Sequence, residues 1–334
     1  MTRSVLVLAD VRRSVGGWAD SLALLRAHGF LVDDPGEPLD AAEAARRAAE
    51  VDAIVVGGTH VLGADVLRAA RRLRVVSRQG VGMDNIDVEA ATRLGVMVCN
   101  TAGCNAAAVS DHTFALLLHL TRDLGRLDAR TRAGRGWEDG WPPTLTQLAG
   151  KTVAILGTGN IGRAVARRAG AFGMRILAHD LIEDPTVSEG LGVTYLPLDE
   201  MLPLADVLTI HVPLTPLTRG MIGAERLARL RPHVLVVNTA RGGVVDEQAL
   251  ADAVRGGRLA GAGSDVFEVE PRTQSPLFDL ERVVLTPHVG GSSVESSTAA
   301  RMWAAENLIA FFEGDPRNVV NPEVLGGRAD QTPR

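Results

Sequence analysis

The sequence predicts an α/β protein made of two doubly wound parallel-sheet domains, on three observations. Short runs rich in valine, isoleucine and leucine alternate with helix-length segments along much of the chain. A G-x-G-x-x-G motif at Gly157, Gly159 and Gly162 opens after one such run near mid-chain. A complete series of strand–helix units precedes that motif, and 334 residues suffice for about two domains.

In order, strands are expected at 4–8, 30–33, 53–56, 75–77 and 96–99, with helices at 17–28, 38–49 and 64–73 between them. Strands alternating with helices of this length form a parallel sheet covered on both faces. The stretch 103–120 is a long helix, apolar nearly all round, bearing Ser110, Asp111, His112 and His119. It is read as a buried crossover, with both histidines packed or capped. Residues 122–149 read as irregular, with Trp137 anchoring the loop and Trp141 left between anchoring and lining a pocket.

The segment KTVAILGTGNIGRAVARRAGAFGMRILAHD, residues 151–180, organises the second half. Residues 151–156 suit a buried parallel strand, 163–172 a helix and 174–178 a second strand. Gly157 permits the tight turn, Gly159 lets backbone approach a pyrophosphate, and Gly162 lets the helix pack on the strand. Asn160 and Ile161 lie at the helix start, and Asp180 stands where a carboxylate accepts a ribose hydroxyl. That carboxylate repels a ribose phosphate, and Leu181 and Ile182 supply no cation, so NAD is expected over NADP. Strands then follow at 193–195, 207–211, 234–238, 260–265 and 283–285, with helices at 198–205, 224–229, 246–255 and 293–312 and a tail, mobile beyond Leu325.

Composition excludes several classes. Hydrophobic content of 46% and charged content of 22% are ordinary for a globular protein, and the net charge of −5 argues against nucleic acid. Arg71, Arg72 and Arg74 read as a solvated helix end. The start, MTRSVLVLAD, reads as a strand, not a leader, and no apolar run approaches membrane-spanning length. Cys99 and Cys104 carry no metal-ligand pattern, so no metal is expected and a cytoplasmic location is.

In open α/β sheets, loops at strand C-termini line the ligand crevice, and Arg241, Asp265 and His288 occupy such positions. Arg241 can hold a carboxylate bidentately. His288 can exchange a proton near neutrality, and Glu270 can orient and charge its ring. Together they suit reversible reduction of a 2-oxo acid. Taken singly, each has a plainer explanation: a surface ion pair, a turn residue before Pro271, a structural histidine beside Pro287.

The motifs NTARGGVVDEQAL, GAGSDVFEVEP and LTPHVGGSSVES, with QGVGMDNID, HVPLTPLT and GTGNIG, resemble the NAD-dependent D-isomer-specific 2-hydroxyacid dehydrogenases over roughly residues 50–322. The resemblance implies a Rossmann NAD-binding domain, 103–289, inserted into a flavodoxin-like substrate domain of 1–102 and 290–334, with the active site in the cleft between them. It implies Arg241, Glu270 and His288 as catalytic residues. It places His211, Val212, Pro213, Thr218, Thr239, Ala240, Asp265 and Gly290 at the cofactor, Asp265 on the nicotinamide amide. Arg78, Val81 and Gly82 then face the substrate, and a homodimer is implied. The chain departs from the family pattern at Ala102, Gly103, Cys104 and Asn105, where P-G-x-N is usual, and at Val109, Ser110 and Asp111, where V-A-E is usual. Gly57 and Gly58 stand where phosphoglycerate enzymes often carry arginine, and no regulatory domain is expected after residue 334. Phosphoglycerate, glyoxylate or hydroxypyruvate, and a phosphonate analogue therefore stay open as substrates. An NAD(H)-sensing corepressor without turnover and a dehydrogenase of amino acids are the alternative readings.

Overall fold

The computed structural model describes residues 3–9, 17–58, 60–138, 140 and 145–326. Trp141 and the tail from residue 327 lie outside them. The chain divides into two units, Met1–Asn105 with Ser292–Arg334, and Ala106–Gly291. These junctions fall a few residues beyond 102/103 and 289/290. Cys104 N–H donates to Thr101 O, which ties that turn to the first unit, while Gly290 N–H is held by Asp265 in the second.

In the first unit, β1 (Arg3–Leu8), α1 (Ala19–Ala27), β2 (Phe30–Asp33), α2 (Ala41–Ala48), β3 (Ala53–Val56), α3 (Ala64–Ala69), β4 (Val75–Arg78), α4 (Val88–Arg93) and β5 (Met97–Cys99) follow in order. The strands form one parallel sheet in the order β2-β1-β3-β4-β5, the flavodoxin-like arrangement. Alternation divides its core. Leu6, Leu8, Ile54, Val56, Val76 and Val98 pack on α2, α3 and α4. Val5, Val7, Val55, Val75 and Met97 pack on α1 and on Ala304, Ala305 and Leu308 of the helix Val294–Glu313. Helix α2 starts later than residue 38, because the Asp40 carboxylate caps it by accepting from Glu43 N–H. The arginine cluster is exposed but engaged: Arg72 pairs with Asp52, and Arg74 lies over the Phe311 and Phe312 rings.

The second unit runs α5 (Ala106–Arg122), α6 (Leu124–Arg132), β6 (Thr152–Leu156), α7 (Asn160–Ala171), β7 (Arg175–His179), α8 (Pro185–Leu191), β8 (Val193–Tyr195), α9 (Leu198–Met201), β9 (Val207–Ile210), α10 (Ala224–Leu227), β10 (Leu235–Asn238), α11 (Glu247–Arg255), β11 (Gly261–Ser264) and β12 (Val283–Leu285). Seven parallel strands order as β12-β11-β10-β9-β6-β7-β8, a Rossmann sheet with one added edge strand. The order reverses between β6 and β9. Phe114, Leu116, Leu117 and Leu120 of α5 join Val165, Ala166 and Ala169 of α7 in the core over one face.

Two expectations are corrected in 122–149. Helix α6 replaces an irregular stretch; it buries no residue, so no apolar stripe announced it, and pairs such as Arg132–Asp128 lie along its exposed surface. Trp137 is 78% exposed and anchors nothing.

Candidate nucleotide and catalytic site

The reversal of strand order between β6 and β9 marks where an open sheet binds its ligand. There Gly157 turns the chain at φ +94°, and a Cβ on it would strike the His211 backbone carbonyl carbon at 2.9 Å. A Cβ on Gly162 would sit 1.9 Å from Gly157 O, so only glycine lets α7 close on the turn. Helix α7 begins at Asn160, directly after Gly159, and carries no side-chain cap. A Cβ on Gly159 would meet nothing within 4 Å, so the space beside the residue that opens the helix is unfilled. An uncapped twelve-residue helix behind glycines fits a pyrophosphate. Asn160 is exposed there and Ile161 half-buried.

Asp180 follows β7. Its Oδ2 accepts from Thr158 N–H at 2.6 Å and from the Thr158 hydroxyl at 3.0 Å, and its Oδ1 from Leu181 N–H at 2.7 Å. Burial works to raise this carboxyl, but the Thr158 donors and the Ile182 and Leu181 N–H groups outweigh it. Asp180 is held below the usual carboxylate value and is charged at neutral pH.

Past β9, burial alone pushes the His211 imidazole down to about 3, so it is neutral. The residue keeps some exposed surface, yet its Nδ1 is shut off from solvent without a hydrogen-bond partner, and Nε2 meets Thr209 Oγ1 at 2.9 Å. Val212 Cγ1 would be 2.9 Å from a Gly157 Cβ, and the buried Thr218 hydroxyl closes its turn by donating to Pro213 O at 2.6 Å.

The ends of β10, β11 and β12 bring the remaining residues together. Asn238 shapes the turn after β10: its Oδ1 accepts from Ala240 N–H and its Nδ2 donates to Arg241 O. Thr239 Oγ1 meets Thr113 Oγ1 of α5 at 3.0 Å, and Arg241 donates to Ala240 O. A Cβ on Gly242 would lie 1.9 Å from the Phe267 carbonyl carbon, so the Arg241 turn is pressed on the loop carrying Glu270. His288 Nδ1 lies 2.6 Å from Glu270 Oε2, and Glu270 Oε1 accepts from Phe267 N–H at 2.9 Å. His288 sits at φ +55°, a region non-glycine residues seldom occupy. Its backbone is held there by donation to Asp265 O at 2.8 Å.

Asp265 is 1% exposed. Its carboxylate accepts from the Thr286 hydroxyl at 2.6 Å, Val289 N–H at 2.9 Å and Gly290 N–H at 2.7 Å. It therefore latches the turn that presents His288. His112, read from sequence as a packed helix residue, extends this latch with Nε2 2.8 Å from Thr286 Oγ1. The sequence reading missed Glu247. Buried at the start of α11, it accepts from Glu268 N–H, Arg272 and Ser275 and fixes the loop bearing Glu270. A glutamate at a helix N-terminus is ordinary, so nothing in the pattern singled it out.

Arg78, Val81 and Gly82 belong to the first unit, at and after the end of β4. Arg78 Nε donates to Asn85 Oδ1 at 3.1 Å and its guanidinium to Gln79 O. Val81 O accepts from Asn100 Nδ2 at 3.2 Å, and Gly80 N–H donates to Thr101 Oγ1 at 2.9 Å, so the loop is pinned by the turn after β5. Gly82 is half-buried beside them. Among the described residues, no group of three or more His, Cys, Asp or Glu could hold a metal ion, and no helix is long and apolar enough to cross a membrane.

A glycine turn at a Rossmann switch point and a strand-end aspartate define a nucleotide-binding α/β protein, and the same unit carries a carboxylate–histidine pair. The sequence matches the family of D-isomer specific 2-hydroxyacid dehydrogenases, NAD binding domain, over residues 114–290. It is 44% identical over 284 residues to a glyoxylate reductase of Korarchaeum cryptofilum, covering 84% of this chain and 85% of the relative. It is 44% identical over 269 residues to a D-3-phosphoglycerate dehydrogenase of Mycobacterium bovis, covering 80% of this chain. The chain spans about half the length of that mycobacterial relative, 50%. Among solved structures, the NADPH-dependent glyoxylate/hydroxypyruvate reductase of Sinorhizobium meliloti, in complex with NADP and malonate, aligns with TM-score 0.83 and 34% identity over 97% of this chain and 98% of that one. The chain belongs to the D-isomer specific 2-hydroxyacid dehydrogenase family, and its second unit contains the NAD-binding domain.

Proposed function

We propose that the protein is a nicotinamide-dependent oxidoreductase that interconverts a small D-2-hydroxy acid and its 2-oxo acid, with NAD(H) preferred. The observation that carries this reading is the 2.6 Å pair of Glu270 and His288, in the same unit as the uncapped α7 turn. Residues 157–162 hold the pyrophosphate, Asp180 the ribose, and the segments 211–218, 239–240 and 265–290 the nicotinamide half. A bound dinucleotide supplies or takes up the hydride. The chain's own groups do the rest. Glu270 accepts a hydrogen bond from His288 Nδ1–H, so the protonated ring gives its Nε2 proton to the forming alkoxide and is left neutral, still protonated at Nδ1. In the reverse direction Nε2 takes the hydroxyl proton, and Glu270 stabilises the resulting imidazolium. Arg241 holds the substrate carboxylate and polarises the carbonyl. Arg78 and the backbone at Val81 and Gly82 offer further contacts to the acid.

A compact acid such as glyoxylate or hydroxypyruvate is favoured over a phosphorylated one. A Cβ on Gly58 would stand 3.7 Å from Arg78 Nη2, so the position beside that guanidinium is held by a glycine and supplies no second cation for a phosphate. The test follows NADH absorbance with glyoxylate, hydroxypyruvate, phosphohydroxypyruvate and a phosphonate-bearing oxo acid. Turnover is expected on the first two. Absence of turnover on all four, with NADH still bound tightly, overturns the enzyme reading in favour of a nucleotide sensor.

A further inference from the structure

The geometry points to a second carboxylate, Asp184, as a determinant of NADH over NADPH: it withholds Arg163 from a ribose 2′-phosphate. This inference rests on the proposed place of Asp180 at the ribose.

The residues after Asp180 carry no cation, but the fold supplies one from another element. Arg163, in the first turn of α7, donates from Nε to Thr158 O at 2.9 Å. Thr158 is the residue whose N–H and hydroxyl grip Asp180 Oδ2, so the guanidinium and the ribose carboxylate hold the same residue. The Arg163 Nη2 donates to Asp184 Oδ2 at 2.6 Å. Asp184 is itself fixed: it caps α8, with Oδ1 accepting from Thr186 N–H at 2.8 Å and from the Thr186 hydroxyl at 2.7 Å. Tyr195 braces the assembly, donating to Thr158 Oγ1 at 2.9 Å and accepting from Asp184 N–H at 3.4 Å.

A 2′-phosphate brought to Asp180 therefore meets one carboxylate that repels it and an arginine already neutralised by another. Removing the Asp180 charge lifts the repulsion and leaves the cation occupied. Removing the Asp184 charge as well leaves Arg163 a guanidinium in search of an anion, within one residue of the ribose position. The competing explanation is that the Arg163–Asp184 pair only staples α7 to α8. Both side chains are partly exposed, at 39% and 26%, so such a staple contributes little stability.

The test is equilibrium binding of NADH and NADPH, by fluorescence titration of the full chain without substrate, in four proteins. Asp180→Ser weakens NADH about tenfold and leaves NADPH weak. Adding Asp184→Asn, which keeps a capping side chain for α8, tightens NADPH about tenfold over the single variant. Adding Arg163→Ala abolishes that gain. If the double variant binds NADPH no better than Asp180→Ser, or the triple variant keeps the gain, the inference is overturned while the ribose assignment stands. If Asp180→Ser leaves NADH binding unchanged, the ribose assignment and the inference both fall.

Discussion

The two units carry the same kind of sheet, and among the described residues the tight glycine turn into a helix at the switch point is seen in the second. In the second unit three residues, 157–159, separate β6 from α7, so the helix N-terminus is held at the strand end with its N–H groups uncapped. In the first unit β1 ends at Leu8 and α1 begins at Ala19. There Gly57 N–H donates to Leu8 O at 2.8 Å, and a Cβ on Gly57 would crowd Ala9. A doubly wound topology places a crevice; loop length and glycine placement decide whether an anion can use it.

The largest effect is expected where the comparison is sharpest. Gly162→Ala drives a Cβ into Gly157 O, so NADH binding is lost and Tm falls by roughly 10 °C. Calorimetry with NADH titration checks this, and retained NADH affinity breaks the comparison. Next, His288→Ala lowers kcat about a hundredfold or more with NADH affinity unchanged, whereas Arg78→Ala raises KM for the acid and spares NADH affinity. Stopped-flow and steady-state kinetics separate the two, and a shared effect on NADH binding refutes the division of labour.

Acid should then act on the second unit first. The imidazole of His211 is held near 3 by burial, below its unfolded value, so the folded state refuses a proton that the unfolded state accepts. Its contribution is complete above pH 6.5 and is lost as pH falls from there toward 3. In the first unit, burial works to raise Asp52, but the Ser4 N–H, Arg72 and the Ser4 hydroxyl hold it below its usual 3.8. That contribution is lost only as pH falls below about 4. Tm measured against pH should decline less between 6.5 and 4 in His211→Asn and only below 4 in Asp52→Asn; the reverse assignment would discredit both. Smallest of all, Gly57→Ala lowers Tm by about 2–4 °C and leaves NADH affinity unchanged within twofold.

Most of this architecture could be read from the chain, because strands such as AIVV at 53–56 and TVAIL at 152–156 are short, apolar and bounded. The fold class and the Gly157 turn followed from local pattern, and the Arg241, Glu270 and His288 set from motif resemblance. What stayed hidden depends on partners distant in sequence. Helix α6 has no buried face, so its periodicity is silent. Glu247, His112 and Arg163 look like ordinary helix residues until the fold sets them against Glu268, Thr286 and Asp184. Trp137 misled because a large aromatic residue in a loop suggests anchoring, and here it faces solvent.

The return of the long helix α12 (Val294–Glu313) to the first unit has a consequence for synthesis on the ribosome. Strands β1–β5 emerge early, yet the apolar face formed by Val5, Val7, Val55, Val75 and Met97 is covered in part by Ala304, Ala305 and Leu308, which emerge after the whole second unit. At ordinary elongation rates that face waits on the order of 10–40 s. The nucleotide unit, whose cores draw only on residues 114–285, has all its parts by then. The nascent chain is therefore vulnerable to aggregation at these earlier-made strands, and chaperone demand should peak before α12 is made.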